Sequence, residues 1–353
     1  MGHCSLWKKL TSRKCAERMN CVSSWWFWVT ISGVFYYGLG DVLPNLYANS
    51  TVILTHHFAI YIMFAEMMIN YFCVKLIKSP YKVEECSPPD LEEMLPGGFE
   101  INLNHLKDGA SPGSYTISAS SLYQNSGLKP PSNGTTMYLV AVPAPDECYG
   151  VCTYDKNRQI VYPYFSWKPC LICQCQRPPR THHCPLCKMC VLKRDHHCFF
   201  TGTCIGLRNQ RHFVVFSFWA SVATLYSIAH ALAYIFITLI PRNTYWDILL
   251  PITVFRYLFG YTTGNDTVMV LMLYSVVWFC FTSLGFFTEQ VRIIRHGTTS
   301  FESDNGIKII NTNRLSDNVR AVFGRYWALN FLFPLHFIFP QQDDGVHWRN
   351  IKV

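Results

Sequence analysis

The sequence has few charged side chains: Asp, Glu, Lys and Arg make up 15% of its 353 residues, whereas 50% are hydrophobic. This balance is too apolar for an ordinary soluble enzyme, and the mean hydropathy of +0.12 is too polar for a chain made only of membrane spans. We therefore predict a few membrane spans joined to a substantial aqueous part. The first apolar run also lacks a clean small-residue cleavage site, so we do not interpret it as a signal peptide.

Four apolar runs are long enough to cross a bilayer, which takes about 20 residues of helix. They cover residues 22–46, 52–77, 212–240 and 267–294. A further apolar run at 248–260 is short and contains Pro251 and Arg256, so we interpret it as an interfacial segment. The sequence thus predicts an all-α polytopic membrane protein with four transmembrane helices, arranged as two hairpins at 22–77 and 212–294.

Basic residues predict the orientation of these helices, because Lys and Arg accumulate on the cytosolic side of a membrane. They are frequent before the first span, between the second and third, and after the fourth, while the linker 41–50 contains none. Both termini and the segment 78–211 are therefore predicted to face the cytosol. The net charge of +8 reflects the same bias. We prefer this explanation to a nucleic-acid-binding surface and expect no nucleic-acid partner.

The aqueous part divides by composition into a basic N-terminal segment, an insert, a cysteine-rich domain and a C-terminal region, at residues 1–21, 78–145, 146–211 and 295–353. The insert is rich in Pro, Ser, Gly and Asn, which predicts a largely flexible segment with a short helix near 90–95. In the C-terminal region, the apolar stretch 319–335 is too short to span a membrane. We expect it to be amphipathic and to lie on the membrane or against the cysteine-rich domain.

Cysteine is abundant, with 16 residues in total and eight of them between positions 170 and 204. Thiols stay reduced in the cytosol, so metal binding or thiol chemistry is their expected use. The stretch contains three C-x-x-C pairs and two His-His pairs, a spacing typical of tetrahedral zinc sites. A segment so rich in Pro and Arg cannot build a hydrophobic core. Bound zinc would therefore have to supply its folding free energy.

The same stretch contains the run Asp195-His196-His197-Cys198. A thiol with an imidazole and a carboxylate beside it has the composition of an activated nucleophile. The imidazole would accept the thiol proton, whose reference pKa is about 8.5. The carboxylate would hold the imidazole in the correct tautomer. The alternative is that Cys198 is simply an unused metal ligand.

The region resembles the cysteine-rich domain of DHHC-type protein S-acyltransferases, also called palmitoyltransferases. The resemblance covers residues 170–213 and rests on C-x2-C, THHC-x2-C-x2-C, DHHC and the following Cys204, and it ends in Asn209 and Phe213. The predicted layout, with the zinc module between the second and third of four spans, is also similar to that family. The implied architecture is a cytosolic two-zinc domain carried by membrane helices.

Two C-terminal motifs strengthen this resemblance. Thr299-Ser300-Phe301-Glu302 is similar to the family's Thr-Thr-x-Glu, and residues 318–324 fit its Asn-x4-Phe-Gly element. Other positions depart from the family: Phe199-Phe200 replaces Pro-Trp, Gly202-Thr203 replaces Asn-Asn, and Asp-Pro-Gly after the second span is missing. These departures indicate a divergent branch of the family.

The resemblance also implies how the ligands are shared, which spacing alone does not decide. Two interleaved structural Zn²⁺ sites would use Cys170, Cys173, His183 and Cys190, and Cys184, Cys187, His197 and Cys204. Because His197 would then bind metal, Asp195, His196 and Cys198 remain as the catalytic residues. Both zinc ions would have four protein ligands and would be structural.

The implied reaction is a two-step transfer, in which a fatty acyl-CoA acylates Cys198 and a cysteine of a protein substrate on the cytosolic face then takes the acyl group. Basic residues near the site are candidates for binding coenzyme A phosphates, namely Arg180, Lys193, Arg194 and Arg208. The positive-inside bias explains them equally well. The expected partners are acyl-CoA, protein substrates and the lipid bilayer, in an endoplasmic reticulum or Golgi membrane.

Two other functions are compatible with the sequence. A zinc-dependent binding module, such as a membrane-tethered adaptor or a nucleic-acid reader, would bind zinc without needing Cys198. A catalytically weak or inactive family member would keep the fold as a zinc-dependent membrane scaffold, with transfer lost through the changes at 199–200 and 202–203. The presence of Asp195, His196 and Cys198 favours the enzyme.

Overall fold

The structure is a computed structural model, and it describes residues 13–81, 116–117, 137–140, 151–154, 160–161, 164–165, 167–170, 172–173, 175–332, 338, 341, 343–348 and 350–352. Its α-helices are α1 (Arg13–Tyr37), α2 (Leu43–Leu46), α3 (Ser50–Leu76), α4 (Gln210–Tyr234), α5 (Leu250–Leu258), α6 (Gly264–His296), α7 (Ser300–Asp304) and α8 (Leu315–Phe323). Short strands separate α3 from α4. The described chain is therefore mostly helical, with a β-rich part between two groups of helices.

Three described helical segments are long and apolar enough to cross a membrane: Ser50–Leu76, Gln210–Arg242 and Gly264–His296. At about 1.5 Å per residue they are about 40 to 50 Å long, which exceeds the hydrocarbon thickness of about 30 Å. The second consists of α4 continued by a π-helical turn and a 3₁₀ turn. These segments confirm the predicted spans at 52–77, 212–240 and 267–294 by length and composition.

The remaining predicted span, 22–46, is helical but does not meet the same measure among the described residues. Its helix α1 runs on through the π-helical turn Gly38–Val42 into α2. Phe27 of α1 stacks on Tyr71 of α3 with ring centroids 4.9 Å apart. Gly33 lies so close to α6 that a Cβ atom there would come within 2.5 Å of the Met272 sulfur. Helix α1 therefore packs against two of the three spans.

The apolar run 248–260 forms α5, which begins with Pro251 in its first turn, where the missing N–H is least costly. The buried Asp247 forms an ion pair with Arg256, with 2.9 Å between Oδ1 and Nε. The outer face of α5 exposes large apolar side chains, with Phe255 57% and Leu258 73% accessible. A helix of this length is too short to span a bilayer, in agreement with the interfacial interpretation.

The cysteine-rich domain is built from three antiparallel two-stranded ribbons. They pair β5 (Lys168–Cys170) with β6 (Cys175–Arg177), β7 (His182–Cys184) with β8 (Met189–Val191), and β9 (His196–Cys198) with β10 (Thr203–Ile205). The prediction of an all-α protein is therefore wrong for this domain. In a short hairpin, antiparallel pairing places metal ligands from two chain segments side by side. A single helix does not bring two segments together in this way.

Four further strands form an antiparallel sheet in chain order: β1 (Thr116–Ile117), β2 (Met137–Val140), β3 (Val151–Tyr154) and β4 (Ile160–Val161). The first two lie inside the predicted insert 78–145 and the last two beyond it. The helix predicted near 90–95 lies outside the described residues. The domain boundaries at 21, 77, 145, 211 and 294 stay predictions.

The C-terminal region folds against the ends of α4 and α6 nearest the cysteine-rich domain. Val322 and Phe323 of α8 pack into one buried cluster with Val214 and Ile294. The side-chain amide of Asn318 donates to the Arg295 carbonyl oxygen at 3.1 Å. Within the predicted amphipathic stretch 319–335, the helix ends at Phe323 and a 3₁₀ turn follows at Trp327–Phe331. Strand β11 (Ile310–Asn311) pairs with β12 (Ile351–Lys352) near the chain end.

Candidate metal centres and active site

The first group of potential metal ligands consists of Cys170, Cys173, His183 and Cys190, whose ligand atoms all lie within 4.8 Å of one another. His183 and Cys190 face each other across the β7–β8 ribbon. The Cys173 sulfur lies 3.2 Å from His183 Nδ1. The ribbon and the Cys170–Cys173 segment therefore bring together the four residues that the family resemblance implies for one site.

The second group consists of Cys184, Cys187, His197 and Cys204, gathered within the same limit. His197 and Cys204 are opposite each other in the β9–β10 ribbon. His197 Nδ1 lies 3.6, 3.3 and 3.7 Å from the sulfur atoms of Cys184, Cys187 and Cys204. Because His183 and Cys184 are neighbours on β7, their side chains point to opposite faces, and the two groups interleave along the chain.

Both groups suit a tetrahedral zinc ion. Three thiols and one imidazole form a donor set found in structural zinc sites. With Zn–S and Zn–N bonds of about 2.3 and 2.1 Å, a sulfur and a nitrogen on adjacent tetrahedral corners lie about 3.6 Å apart. The distances from the thiols of the second group to His197 Nδ1 span 3.3 to 3.7 Å. Each group could therefore hold a metal ion.

The imidazole of His197 also has a partner on its other nitrogen. His197 Nε2 lies 3.2 Å from Asn20 Oδ1 on helix α1. Since Nδ1 faces the three thiols, Nε2 carries the proton and donates to this amide oxygen. One helical turn further along α1, the Ser24 hydroxyl donates to the Phe200 carbonyl oxygen at 3.1 Å. Helix α1 thus contacts the chain on both sides of Cys198.

The three predicted catalytic residues lie together. His196 Nδ1 is 2.8 Å from Asp195 Oδ2. An ionised carboxylate only accepts hydrogen bonds, so Nδ1 carries the proton and Nε2 is left to face the Cys198 thiol. Alternation along β9 puts His196 and Cys198 on one face and His197 on the other. This alternation separates His196, which contacts Asp195, from His197, which faces the three thiols.

Asp195 is buried, with 2% of its surface accessible, and receives four hydrogen bonds. Its Oδ2 accepts from His196 Nδ1 at 2.8 Å, from Gln290 Nε2 at 2.7 Å and from the Ser300 hydroxyl at 3.1 Å. Its Oδ1 accepts from the Ser300 backbone N–H at 2.5 Å. A carboxylate with this many donors stays ionised in spite of its burial. It therefore stabilises a positive charge on His196.

The electrostatics of the site favour a thiolate beside an imidazolium. Burial opposes charge on the Cys198 thiol, but the hydrogen bond and charge of His196 outweigh it and hold the thiol pKa below its ordinary value. Burial likewise opposes charge on His196, yet the hydrogen bond to Asp195 raises the imidazole pKa above its usual range. Hydrogen bonds from Thr201 further lower the Cys198 pKa. A thiolate is the nucleophilic form of cysteine.

An apolar cavity of about 160 Å³ lies between α1, α3, α4 and α6. Its lining includes Phe200, Phe213 and Phe286, and the last two rings lie 5.2 and 6.2 Å from the His196 ring. Its lining also includes Tyr226 and His230, towards the other end of α4. Cys198 belongs to the buried cluster that contains Phe213. The cavity thus extends from the neighbourhood of the thiol into the helical part of the protein.

The Thr299-Ser300-Phe301-Glu302 motif joins the cysteine-rich domain to the end of α6. Thr299 and Glu302 form a capping box at the start of α7. The Phe301 ring stacks on His182 with centroids 3.8 Å apart, and its backbone N–H donates to the Asp195 carbonyl oxygen at 3.1 Å. Since Ser300 contacts the Asp195 carboxylate, this motif helps to position that carboxylate.

The four basic residues predicted to bind phosphate have different surroundings. Arg180 has a fully buried side chain that pairs with Glu302, so it has no surface to offer a phosphate. Lys193 pairs with Asp343 at 3.0 Å and is 9% accessible. The Arg194 guanidinium lies 5.6 Å from the Phe301 ring, and the Arg208 backbone N–H donates to the Ser79 hydroxyl. The phosphate role stays a prediction for all four residues, and the buried ion pair with Glu302 opposes it for Arg180.

Two of the departures from the family pattern, Gly202 and Phe200, have physical explanations. Gly202 has a φ of +66°, a left-handed conformation that glycine adopts freely and that asparagine also tolerates. Its N–H donates to the Cys198 carbonyl oxygen at 2.9 Å and closes the turn between β9 and β10. Phe200 packs on Phe279 and Phe286 and lines the cavity. Gly202 and Phe200 therefore maintain the turn and the apolar wall next to Cys198.

Sequence reasoning missed Gln290 and Asn20, which contact Asp195 and His197. Gln290 carries a recognisable signal, because an amide near the end of an apolar span usually finds a hydrogen-bond partner. Asn20 carries none, since it lies in a polar stretch before the apolar run. Their roles depend on contacts between segments more than 90 residues apart in the chain.

These features together define a membrane-protein class: helices able to span a bilayer, two Cys3His metal-binding groups, and a buried thiol paired with His and Asp beside an apolar cavity. The family model for the DHHC palmitoyltransferase matches residues 164–307. Residues 164–307 of the chain therefore contain a domain of the DHHC palmitoyltransferase type.

Similar proteins agree with this assignment. The chain is 36% identical to the rat palmitoyltransferase ZDHHC22 over 163 residues, which are 45% of this chain and 61% of the relative. It is 40% identical to palmitoyltransferase pfa3 of Neurospora crassa over 83 residues, 24% of this chain and 13% of the relative. Zebrafish palmitoyltransferase ZDHHC20-B is 29% identical over 192 residues, half of each chain. The chain thus matches about three fifths of the length of its ZDHHC22 relatives, 61% for the rat protein.

Proposed function

We propose that this protein is a membrane-bound protein S-acyltransferase that carries a long-chain fatty acyl group on Cys198. The observation that supports this most directly is the buried Cys198–His196–Asp195 arrangement beside the apolar cavity. The relatives are all named palmitoyltransferases, which supports palmitoyl as the acyl group. Burying a sixteen-carbon chain is worth about 12 kcal/mol at about 0.8 kcal/mol per CH₂. A cavity between membrane helices suits such a chain.

The first step forms a thioester on the enzyme. The Cys198 thiolate attacks the thioester carbonyl carbon of acyl-CoA, the carbon–sulfur bond to coenzyme A breaks, and the departing thiolate takes the proton from His196 Nε2. Asp195 stabilises the imidazolium before this transfer and keeps the Nδ1 proton in place. The acyl group is then on Cys198 and His196 is neutral.

The second step returns the site to its starting state. Neutral His196 accepts a proton from the thiol of a protein substrate, and the resulting thiolate attacks the Cys198 thioester. The bond between the acyl carbon and Cys198 breaks, and Cys198 leaves as a thiolate beside the imidazolium. The same acid–base residue therefore serves both steps, and the substrate cysteine has to approach from the aqueous side.

The metal sites have a structural part in this proposal. Zinc ions held by the two Cys3His groups would supply the folding free energy of a domain that has little apolar core. His197 would fix the backbone next to Cys198 through its metal bond and its contact with Asn20. Each group would supply all four ligands of a tetrahedral ion and leave no open position for a substrate. Catalysis is therefore assigned to Asp195, His196 and Cys198.

The membrane arrangement is proposed to include α1 as a fourth span, with both termini and the cysteine-rich domain on the cytosolic side. The packing of Phe27 against Tyr71 and of Gly33 against Met272 supports this, since it places α1 alongside two other spans. The positive-inside distribution supports the orientation. We further propose that the protein lies in an endoplasmic reticulum or Golgi membrane and that its substrates carry cytosolic cysteines. Lys193, Arg194 and Arg208 are the proposed contacts for the phosphates of coenzyme A.

The purified protein in detergent, incubated with labelled palmitoyl-CoA, tests the function. The expected result is a label that hydroxylamine removes, present in the wild type and in Cys175→Ser and absent in Cys198→Ser. If the wild type has both metal sites filled but takes no label, the proposed acyltransferase activity is contradicted. That result would support the alternative, a zinc-dependent membrane scaffold. Loss of label in Cys175→Ser as well would show that another thiol takes part.

A further inference from the structure

The catalytic carboxylate has a partner that comes from the membrane helix α6. Gln290 is 1% accessible, and its Nε2 donates to Asp195 Oδ2 at 2.7 Å. This is the same carboxylate oxygen that accepts from His196 Nδ1 at 2.8 Å. Two N–H donors therefore meet at one oxygen atom and fix where that oxygen lies relative to the imidazole.

The orientation of the Gln290 amide is fixed by a second amide. Gln210, at the start of α4, is 3% accessible, and its Nε2 donates to Gln290 Oε1 at 3.0 Å. A side-chain amide has its acceptor on one side and its donors on the other. With the oxygen of Gln290 turned towards Gln210, its NH₂ group has to face Asp195.

A continuous row of hydrogen bonds thus runs from Gln210 through Gln290 and Asp195 to His196, whose other nitrogen is left for the neighbouring Cys198. The first two members belong to α4 and α6 and the last two to the cysteine-rich domain. An amide left without partners in this buried setting would cost free energy, so the row holds its members in one arrangement. It also ties the position of the carboxylate to the packing of two membrane helices.

We infer that Gln290 is a positioning residue for the acyl transfer: it holds the Asp195 carboxylate in the orientation that keeps His196 turned towards Cys198, and Gln210 orients it. This inference rests on the proposed function, since it assigns Gln290 a part in activating the Cys198 thiol. Ser300 also contacts the carboxylate, but it belongs to the motif that follows α6. Gln290 is the contact that comes from the membrane helix itself.

The test uses the full-length protein with its metal and measures two rates. One is the alkylation of Cys198 by iodoacetamide at fixed pH, read on the peptide that contains this residue, which needs no acyl-CoA. The other is the acylation of Cys198 by palmitoyl-CoA at saturating and limiting concentrations. The matched control is Ser275→Ala, a buried polar side chain of the same helix whose hydroxyl donates within α6 to the Leu271 carbonyl oxygen.

Gln290→Met is expected to slow both rates about tenfold, because it removes one charge-assisted hydrogen bond to the carboxylate. The palmitoyl-CoA concentration for half-maximal acylation stays within about twofold, since Gln290 acts through Asp195 and not on the substrate. Ser275→Ala stays within about twofold of the wild type in both rates. Should Gln290→Met fail to fold, Gln290→Asn, which keeps an amide but is too short to reach Asp195, is held to the same expectations.

A double variant distinguishes positioning from packing. If Gln290 acts through Asp195, Asp195→Asn combined with Gln290→Met is no slower than Asp195→Asn alone. Losses that multiply in the double variant, or a Gln290→Met protein as fast as the wild type, would overturn the inference. A wild type whose Cys198 is alkylated but takes no palmitoyl label contradicts the proposed function instead, and the alkylation rates still decide the part played by Gln290.

Discussion

Arg180 and Glu302 form a two-bond ion pair with both side chains fully buried, at 2.6 Å from Nε to Oε1 and 2.8 Å from Nη2 to Oε2. The pair links the cysteine-rich domain to the helix that follows the last membrane span. Glu302 also accepts from the Tyr164 hydroxyl at 2.9 Å. The Arg180 guanidinium lies 4.4 Å from the ring centroid of Trp348 near the chain end. Three separate segments therefore meet at this pair.

Removing one partner of this pair is expected to destabilise the protein strongly. Arg180→Met leaves the Glu302 carboxylate buried without its cation, which costs about 3 to 5 kcal/mol. The matched control is Glu289→Gln, which breaks the pair between Glu289 and Arg292, whose side chains are 42% and 45% accessible. That exposed pair contributes about 0 to 1 kcal/mol. Thermal unfolding in detergent checks both, and similar melting temperatures for the two variants would contradict the assigned role of Arg180.

The contact between Asn20 and His197 predicts an effect on metal retention. Asn20→Ala removes the acceptor of the His197 Nε2 proton, and loss of such a partner weakens metal binding about tenfold to 100-fold. Release of zinc to a chromogenic chelator measures this. Asn45→Ala is the control, since this exposed side chain donates only to the Asp41 carbonyl oxygen among its described contacts. Equal release rates for the two variants would show that Asn20 does not support the metal ligand.

Metal stoichiometry tests the two ligand groups. The wild type is expected to contain two zinc ions per chain, because each Cys3His group gathers its four ligand atoms within 4.8 Å. Cys204→Ser is expected to lose one of them, and Cys175→Ser is expected to keep both, since within the described part of the chain Cys175 belongs to neither group. Elemental analysis of the purified proteins gives the ratio. A reduced zinc content in Cys175→Ser would mean that the ligand assignment is wrong.

The cavity predicts a dependence on acyl chain length. Ala223 of α4 lines it, so Ala223→Phe would fill space that a long chain needs. The rate with stearoyl-CoA relative to myristoyl-CoA is expected to fall about tenfold or more, since each excluded methylene is worth about 1 to 3 kcal/mol. Leu225→Phe, on the outer face of the same helix with 52% of its surface accessible, is expected to leave the ratio unchanged. An unchanged ratio in Ala223→Phe would mean that the cavity does not bind the acyl chain.

Much of the fold could be predicted because each feature is local in the sequence. The spans at 52–77, 212–240 and 267–294 are continuous apolar runs, and the C-x-x-C pairs indicate metal binding, whereas the division of the ligands into two groups is what the family resemblance implies. The ribbons of the cysteine-rich domain were not predicted, since their strands are three residues long and show no periodicity. Their side-chain alternation is what separates His196 from His197.

Contacts between distant segments could not be predicted. The sequence offered Arg180 as a phosphate ligand because basic residues beside a thiol suggest an anion, but its partner Glu302 lies 122 positions away. Gln290 and Asn20 were missed for the same reason: their partners come from another part of the chain. The sequence predicts which residues carry the chemistry, whereas the packing of α1 and α6 against the β9–β10 ribbon determines which residues contact them.

The central claim is that Cys198 is the residue that carries the acyl group, and mass spectrometry of the protein after brief exposure to palmitoyl-CoA tests it most directly. The predicted result is a single palmitoyl adduct on the peptide containing Cys198, removed by hydroxylamine and formed much more slowly in Asp195→Asn, in which His196 loses its carboxylate partner. An adduct found only on other cysteines, or one that forms equally fast in Asp195→Asn, would contradict the account.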